Sequence, residues 1–336
     1  MKRYLCASIA LAVVGNAAHA QTSVTVFGLI DASMRSITTG PNKMVSMGSD
    51  GMLNSRLGFR AEEDLGGGFK AGVWLETAFN PDDGTINASG KFWHRRSTVS
   101  LYTPYGELRL GRDLNPTFYN LSIFDPFTTC GIGSGFNLVT NLGSPAKTLL
   151  RTDNAVAFIL PQQLGGLYGH FMVAPGEGVP GNQYSGGRLG YQAGPFNTAI
   201  AFANTGTGTQ ANFKELNAGA SYDARFAKFM VLYNQVKYGA LKQVSVEVGF
   251  TAPVGRSGLI RASYQRTNAS GPSIDANDAR QIAVGYVLEL SKRTSLYTTF
   301  SHLANSGAAR YVIGTPPAAV PGGTSRGFEA GIMHTF

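Results

Sequence analysis

Residues 56–79 read RLGFRAEEDLGGGFKAGVWLETAF, with charges at alternate positions on both sides of a glycine cluster. A period of two is typical of a β-strand, in which successive side chains point to opposite faces. Leu57 and Phe59 then lie on one face, while Arg56 and Arg60 lie on the other. The glycine cluster predicts a tight turn between two such strands. The stretch therefore predicts a hairpin with one apolar face and one charged face.

The same alternation recurs along most of the chain. In residues 244–250, VSVEVGF, apolar side chains occupy one face and Ser, Glu and Gly the other. Sixteen candidate strands follow this pattern, at residues 23–34, 55–64, 68–79, 94–103, 105–113, 151–160, 167–174, 186–194, 196–204, 216–224, 226–238, 242–252, 258–267, 279–290, 294–304 and 325–336. Short turns alternate with longer loops between them, the first long loop covering residues 35–54. An even strand count with this alternation is typical of an antiparallel membrane barrel.

The composition of the second face separates two kinds of β protein. Charged residues make up only 14% of the chain, and glycine accounts for 43 residues. The faces opposite the apolar ones carry mainly small or uncharged polar residues, which can line water without filling a core. A soluble β-sandwich would expose more Lys and Glu, but it shares the alternation and stays an alternative. Beyond the N-terminus no segment has the about 20 apolar residues of a spanning helix, so strands would cross any membrane.

The N-terminus has the pattern of a secretory signal. Lys2 and Arg3 precede an apolar run, and Ala18-His19-Ala20 supplies small residues around a cleavage site. We therefore expect a signal peptide at residues 1–20 and a single barrel domain at residues 21–336. The mature protein would be exported.

Several other classes of function find little support in the sequence. Cys130 is the only cysteine after the predicted signal peptide, which excludes an internal disulfide and a metal site built from several cysteines. We predict no metal and no cofactor. The charges that give the net +8 are dispersed without a basic run, so nucleic acid is not an expected partner. The histidines of the mature chain stand in no recognisable catalytic motif, so we predict no enzyme, with a barrel protease or phospholipase as the minor alternative.

Four motifs resemble those of Gram-negative general porins. They are SVTVFGLIDA at residues 23–32, SRLGFR at 55–60 followed by EDLGGGFKA at 63–71, YGELRLGR at 105–112, and GIMHTF at 331–336. The resemblance covers both ends and the second to fifth candidate strands, and it rests on alternation alone in the middle of the chain. It implies an all-β fold, a 16-stranded antiparallel transmembrane β-barrel with a long third loop folded inward.

The resemblance also implies a place and partners. A general porin lies in the outer membrane of a Gram-negative bacterium, forms homotrimers among outer-membrane lipids, and passes small hydrophilic solutes and ions by diffusion. The terminal Phe336 resembles the signal that the barrel-assembly machinery reads. The long segment 114–150, after the fifth candidate strand, occupies the position of the inward loop. Because it is rich in aromatic residues, with Asp125 and Lys147 as its only charges, we expect it to pack against the inner wall.

The strand period assigns several charged side chains to the lumen. If Leu57 and Phe59 meet lipid, Arg56 and Arg60 face the lumen. On the fourth candidate strand parity favours Arg96 while the resemblance favours Arg95, and a β-bulge would reconcile the two. The resemblance adds Arg151. The predicted pore constriction is Arg56, Arg60, Arg95, Arg96, Arg151 and the loop residue Asp125, with Glu62, Lys70, Glu76, Arg112 and Asp113 as further lumen-facing residues.

Five constriction arginines against one loop acid predict a channel that prefers anions. One alternative is that some of these arginines only pair with acids on the wall, such as Glu62, Glu76 or Asp113. Another is a channel specific for sugars or carboxylates, which the few inward aromatic residues, chiefly Trp74 and Tyr297, neither favour nor exclude.

Overall fold

The computed structural model describes residues 23–86, 90–314 and 319–336. The predicted signal peptide, residues 1–20, lies outside the described residues and stays a prediction. Within the described part, no helix has the length and apolar character needed to cross a membrane.

Nearly all of the regular structure is β-strand. The strands are β1 (Ser23–Thr39), β2 (Asn42–Gly48), β3 (Arg56–Gly66), β4 (Phe69–Ala78), β5 (Arg96–Thr103), β6 (Gly106–Leu114), β7 (Arg151–Ile159), β8 (Leu167–Ala174), β9 (Gln183–Ala193), β10 (Phe196–Gly206), β11 (Phe213–Asp223), β12 (Lys228–Tyr238), β13 (Leu241–Val254), β14 (Gly258–Ser270), β15 (Ala279–Glu289), β16 (Thr294–Asn305) and β17 (Thr324–Thr335). One helix, α1 (Pro116–Phe124), and a 3₁₀ turn at Gly135–Leu138 lie between β6 and β7.

Sixteen long strands close into an antiparallel barrel. Each pairs with its neighbours along the chain, and β17 returns to β1, where Ile30 stands opposite His334. All sixteen candidate strands are present, so the predicted fold is confirmed. Most short turns, such as the two residues between β3 and β4, lie at one end of the barrel, and most longer connections lie at the other, where the two-residue turn between β12 and β13 is an exception.

The first long loop differs from its prediction. Residues 35–54 were expected to be a loop, but β1 continues to Thr39 and then folds back as the extra strand β2. The N-terminal half of β1, Ser23–Leu29, pairs with β3, and its C-terminal half, Ser33–Thr39, pairs with β2. The prediction was wrong because the alternation of Ile37 with Ser36 and Thr38 is hard to recognise in so polar a stretch.

The two faces of the barrel are inverted relative to a soluble protein. On β13, Val246 and Val248 are 43% and 48% exposed, whereas Ser245 and Glu247, which alternate with them, are each 2% exposed. The exposed apolar side chains of the other strands lie on the same outer face. An apolar exterior around a polar interior is the arrangement of a barrel surrounded by lipid.

The third loop, residues 115–150, folds into the barrel. Its helix α1 begins at Asn115, whose side chain accepts a hydrogen bond from the Phe118 N–H at 2.8 Å, and Pro116 occupies the first helical position. The helix packs on the inner face of β9 to β12, where the ring of Phe124 fills the space that a side chain at Gly219 would need. This close approach explains the glycine in the middle of β11.

The tip of the loop reaches the opposite part of the wall. Ile132 and Leu138 are fully buried with Ile37, Leu303 and Ile313, which belong to strands and loops near the closure of the barrel. Gln281 of β15 donates through Nε2 to the carbonyl oxygens of Gly133 and Ser134, both at 3.1 Å. The loop is therefore fixed to the wall at both its helix and its tip, as the inward-folded third loop was predicted to be.

Replacing Phe124 with Ala is expected to loosen the loop. The ring is completely buried, and removal of a buried phenylalanine side chain typically costs about 3–5 kcal/mol. We expect noisier single-channel currents in a planar bilayer and faster proteolysis within residues 114–150. Phe202→Ala, on the outer face of β10, is the matched control. Equal noise and equal cleavage in the two variants would contradict this role of Phe124.

Candidate functional site

Arginine side chains converge on the inner face of β3 to β7, opposite the part of the wall that holds the loop helix. We call this group the arginine wall; it consists of Arg56, Arg95, Arg96, Arg109 and Arg151. The strand period brings them together because the residues between them, such as Leu57, Leu108 and Leu110, turn outward. All five are held by hydrogen bonds, so the wall is a fixed array of guanidinium groups.

Glu76 of β4 organises one half of the arginine wall. Its Oε1 lies 2.6 Å from Nε of Arg95 and 3.6 Å from Nη1 of Arg56, and its Oε2 accepts a hydrogen bond from Nε1 of Trp74 at 3.1 Å. The carboxylate is 6% exposed. A single acid thus positions two arginines. The alternative that some of the arginines pair with acids on the wall therefore holds for Arg56 and Arg95, although one carboxylate offsets only one of their two charges.

Asp113 of β6 organises the other half. Its Oδ2 lies 2.5 Å from Nη1 of Arg109 and 3.8 Å from Nε of Arg96. Arg109 also makes two hydrogen bonds to Glu107, at 2.8 and 2.9 Å. The Cζ atom of Arg96 sits 4.3 Å above the ring of Trp74, at the distance of a cation–π contact.

Both candidates on the fourth predicted strand turn inward. The N–H of Arg95 donates to the carbonyl of Glu76 at 3.1 Å, while Arg96 is the partner of Glu76 in the ladder. Two residues opposite one is the pattern of a β-bulge, which places consecutive side chains on the same side. Alternation favoured Arg96 and the resemblance favoured Arg95, and in the structure both side chains face inward.

Arg151 has the least compensated charge in the group. Its Nε donates to the carbonyl oxygen of Arg95 at 2.8 Å. Among the described residues no carboxylate lies within 4.0 Å of its guanidinium. The arginine wall as a whole sets five guanidiniums against the three carboxylates of Glu76, Glu107 and Asp113.

Three predicted lumen residues lie apart from this group. Arg60 stands opposite Trp74, and Glu62 opposite Gly72, so both share the inner face of β3 and β4. Lys70 pairs with Tyr102 nearer the short-turn end. All three are exposed, and none forms an ion pair within the described part of the chain. The structure does not bring Arg60 into the constriction.

Arg112 is on the outer face, which corrects the prediction that it faces the lumen. The ladder sets it opposite Ser97, on the same side as the outward pair Val99 and Leu110. Its Nη1 bonds to Oδ1 of Asp153 at 2.6 Å, and its Nε donates to the carbonyl of His94 at 2.6 Å.

Asp125 does not oppose the arginines, contrary to its predicted role. It is 2% exposed, and its carboxylate accepts hydrogen bonds from the N–H groups of Phe127, Thr129 and Gly135 at 2.7, 2.9 and 3.0 Å. Burial raises the pKa of this carboxyl above its ordinary value. Both carboxylate oxygens of Asp125 accept hydrogen bonds from the backbone of the loop itself. The loop therefore presents no carboxylate to the arginine wall.

Phe336 closes the barrel at the C-terminus. Its N–H and carbonyl both bond to the backbone of Gly28 on β1, at 3.0 and 3.2 Å, and its ring covers that glycine. Its part in assembly stays a prediction. In the described parts of the chain, no cluster of three or more His, Cys, Asp or Glu is arranged to hold a metal ion.

Sequence reasoning missed Arg109, Glu107 and Arg188. The outward Leu108 and Leu110 would have identified the first two by alternation, just as Leu57 and Phe59 identified Arg56. Arg188, on the inner face of β9, lies in the middle of the chain, where no motif drew notice to single residues. It has a separate environment beside the loop helix.

Comparisons with known proteins agree with this architecture. A family model described as Gram-negative porin matches residues 7–308. Outer membrane porin protein 32 of Delftia acidovorans is 37% identical over 359 aligned positions that cover all of both chains. The anion-selective porin from Comamonas acidovorans superposes with a TM-score of 0.86, at 35% identity, over 94% of this chain and 100% of that one. The trimer form of OmpT from Vibrio cholerae, 13% identical, superposes with a TM-score of 0.68 over 94% of this chain and 99% of that one.

Proposed function

The chain belongs to the Gram-negative porin family, and from this we propose that its outer-membrane pore, which small hydrophilic solutes and ions cross by passive diffusion, prefers anions. The relative from Comamonas acidovorans is described as anion-selective. The observation that carries the proposal is the arginine wall, in which five guanidiniums outnumber three carboxylates and no loop acid faces them. The proposed constriction lies between this wall and the loop.

The physical basis is a fixed positive field across a narrow aqueous path. Arginine keeps its charge at every relevant pH, and its planar fork lets several groups be held close together by shared acids. A cleft lined by one sign of charge with low-dielectric walls raises the local concentration of the opposite ions. Anions are therefore enriched at the constriction and cations are repelled.

The pore is expected to give reversal potentials of the anionic sign in a KCl gradient across a planar bilayer. Raising the salt on both sides should weaken the preference, because the Debye length falls from about 10 Å at 0.1 M to about 3 Å at 1 M. Reversal potentials of the cationic sign would contradict the proposal. A preference independent of ionic strength would show that the fixed arginine charge is not its cause.

Two other functions were compatible with the sequence. The Delftia acidovorans and Comamonas acidovorans relatives are both described as porins, so the chain has the fold and family of a porin, and we propose no enzymatic activity for it. The same barrel would also suit a channel specific for one solute, and competition between a solute and the ionic current would reveal it.

We further propose a homotrimer in outer-membrane lipid, assembled after removal of residues 1–20. A trimer form is described for the Vibrio cholerae neighbour, which shares the fold. The apolar outer face supports contact with lipid, and the C-terminal aromatic Phe336 supports recognition by the barrel-assembly machinery. Residues 114–150 act in this proposal as the constriction loop.

A further inference from the structure

Beside the loop helix, a cavity of about 430 Å³ opens off the lumen. It is lined by Tyr119 of α1, Tyr168 and His170 of β8, and Arg188 of β9. Pro161 and Gln162, in the turn between β7 and β8, also line it, so the cavity lies at the short-turn end of the barrel. We call it the side pocket. Its volume falls in the range of small-molecule sites.

Arg188 gives the side pocket a positive charge without a counter-ion. Its side chain is held by a hydrogen bond from Nε to Oδ1 of Asn120 at 2.9 Å and by stacking of Cζ over the ring of Tyr168 at 4.6 Å. No carboxylate among the described residues lies within ion-pair distance of it. Arg109, the other arginine that lines the pocket, is already bonded to Glu107 and Asp113.

His170 supplies a second, independent sign of a missing ligand. The residue is 7% exposed, and its Nε2 atom has no hydrogen-bond partner within the described structure. Buried polar atoms are nearly always paired, and an unpaired one is costly. The nitrogen is covered by protein, so a polar atom of a bound molecule would satisfy it only after the imidazole ring rotates toward the pocket.

The rest of the lining is mixed. Ile123, Ile159, Leu160 and Pro161 supply apolar surface together with the rings of Tyr119 and Tyr168, while Gln162, Gln192 and Asn197 supply polar groups. A chloride ion would use the guanidinium but leave these surfaces in contact with water. A doubly charged phosphate would need a second free cation, which Arg109 does not provide.

We propose that the side pocket binds organic monocarboxylates, with the carboxylate on the guanidinium fork of Arg188 beside His170 and the apolar body against Ile123, Ile159 and Leu160. The planar fork of arginine matches a carboxylate in a bidentate arrangement. Such a site at the short-turn end would hold a solute between the constriction and the exit. The proposal rests on the anion-preferring pore only for delivery of the ligand, because binding itself depends on Arg188 rather than on the arginine wall.

Benzoate is a suitable probe, with benzamide as its neutral analogue. In single-channel recordings in KCl, benzoate is expected to interrupt the current of the wild-type pore at millimolar concentration, while benzamide and inorganic phosphate have much weaker effects. This comparison needs no variant. Equal potency of benzamide would overturn the role of charge, equal potency of phosphate would overturn the apolar subsite, and no effect of benzoate would overturn the site.

Arg188→Gln is expected to weaken the benzoate effect roughly tenfold or more, because a charge-assisted hydrogen bond is lost. Arg266→Gln, on the outer face of β14, is the control with the same substitution. Equal sensitivity of the two variants would place the block elsewhere and overturn the proposal. Failure of the anion-preference proposal would be seen separately, as a cationic reversal potential in KCl alone.

Discussion

Arg151→Glu is expected to abolish most of the anion preference. The change leaves four guanidiniums of the arginine wall opposite four carboxylates, so the excess positive charge disappears. A unit charge about 4 Å from a passing ion in water contributes about 1 kcal/mol, or roughly a fivefold change in local ion concentration. Reversing one charge changes the local charge by two units, so at low salt the local chloride concentration should fall, and that of potassium rise, by up to roughly 25-fold each, and the ratio of chloride to potassium permeability should fall with both.

This position is suitable for reversal because its surroundings are cationic. Arg151 has no acid partner to lose among the described residues, and the charges of Arg56, Arg95 and Arg112 act on its side chain, so they would attract a carboxylate placed there. The barrel should therefore still fold, which the heat-modifiable migration of the protein on a gel would verify.

Arg266→Glu makes the same change on the outer face of β14 and is the control. Glu76→Gln should act in the opposite direction, raising the permeability ratio, because the acid shared by Arg56 and Arg95 is neutralised. Equal shifts of the reversal potential for Arg151→Glu and Arg266→Glu would contradict the assignment of the arginine wall to the ion path.

The barrel itself was largely predictable from the sequence. Each wall strand carries its own alternation, as Val246 and Val248 do beside Ser245 and Glu247, and that pattern depends on neighbours two residues apart rather than on distant contacts. The same rule identified Arg56 and Glu76. The alternation did not reveal β2, because polar residues occur on both faces of that strand. Arg112 was assigned to the lumen together with its neighbour Asp113, and the structure places only Asp113 on the inner face.

The constriction was predictable only in part, because the loop is fixed by tertiary contacts. The sequence indicates that residues 114–150 are too apolar for a free loop, but it cannot tell which atoms their polar groups meet. Asp125 could have faced an arginine across the gap. Instead the backbone of the loop curls around it, and the N–H groups that bind it come from residues up to ten positions away.

Asp125→Ala is expected to release the tip of the loop. The turn that follows Asp125 includes Thr128 and Thr129 with positive φ angles of 54° and 59°, a conformation that costs roughly 1–2 kcal/mol per residue. The three hydrogen bonds to the Asp125 carboxylate hold this turn in place. With alanine, the buried N–H groups of Phe127 and Gly135 lose their acceptor at a cost of about 1–3 kcal/mol each, and the partly buried N–H of Thr129 loses it as well.

Release of the loop tip can be measured by maleimide labelling of Cys130, which lies in the same turn, so no cysteine has to be introduced. It is the only cysteine after residue 20, it is buried, and burial raises the pKa of its thiol to about 12. Relative to an exposed thiol with a pKa near 8.5, the reactive thiolate at pH 8 is rarer by about three orders of magnitude. The wild-type pore should therefore react very slowly with a neutral maleimide.

Release of the tip should return the Cys130 thiol to water, lower its pKa and speed labelling at pH 8 at least tenfold, with a larger single-channel conductance in the same variant. Asp125→Asn is the matched comparison, since the amide keeps one acceptor oxygen and the shape of the side chain, so its effect should be smaller. Cys130→Ser must abolish the labelling. If Asp125→Ala folds yet labels at the wild-type rate, the buried carboxylate is not what holds the loop across the pore.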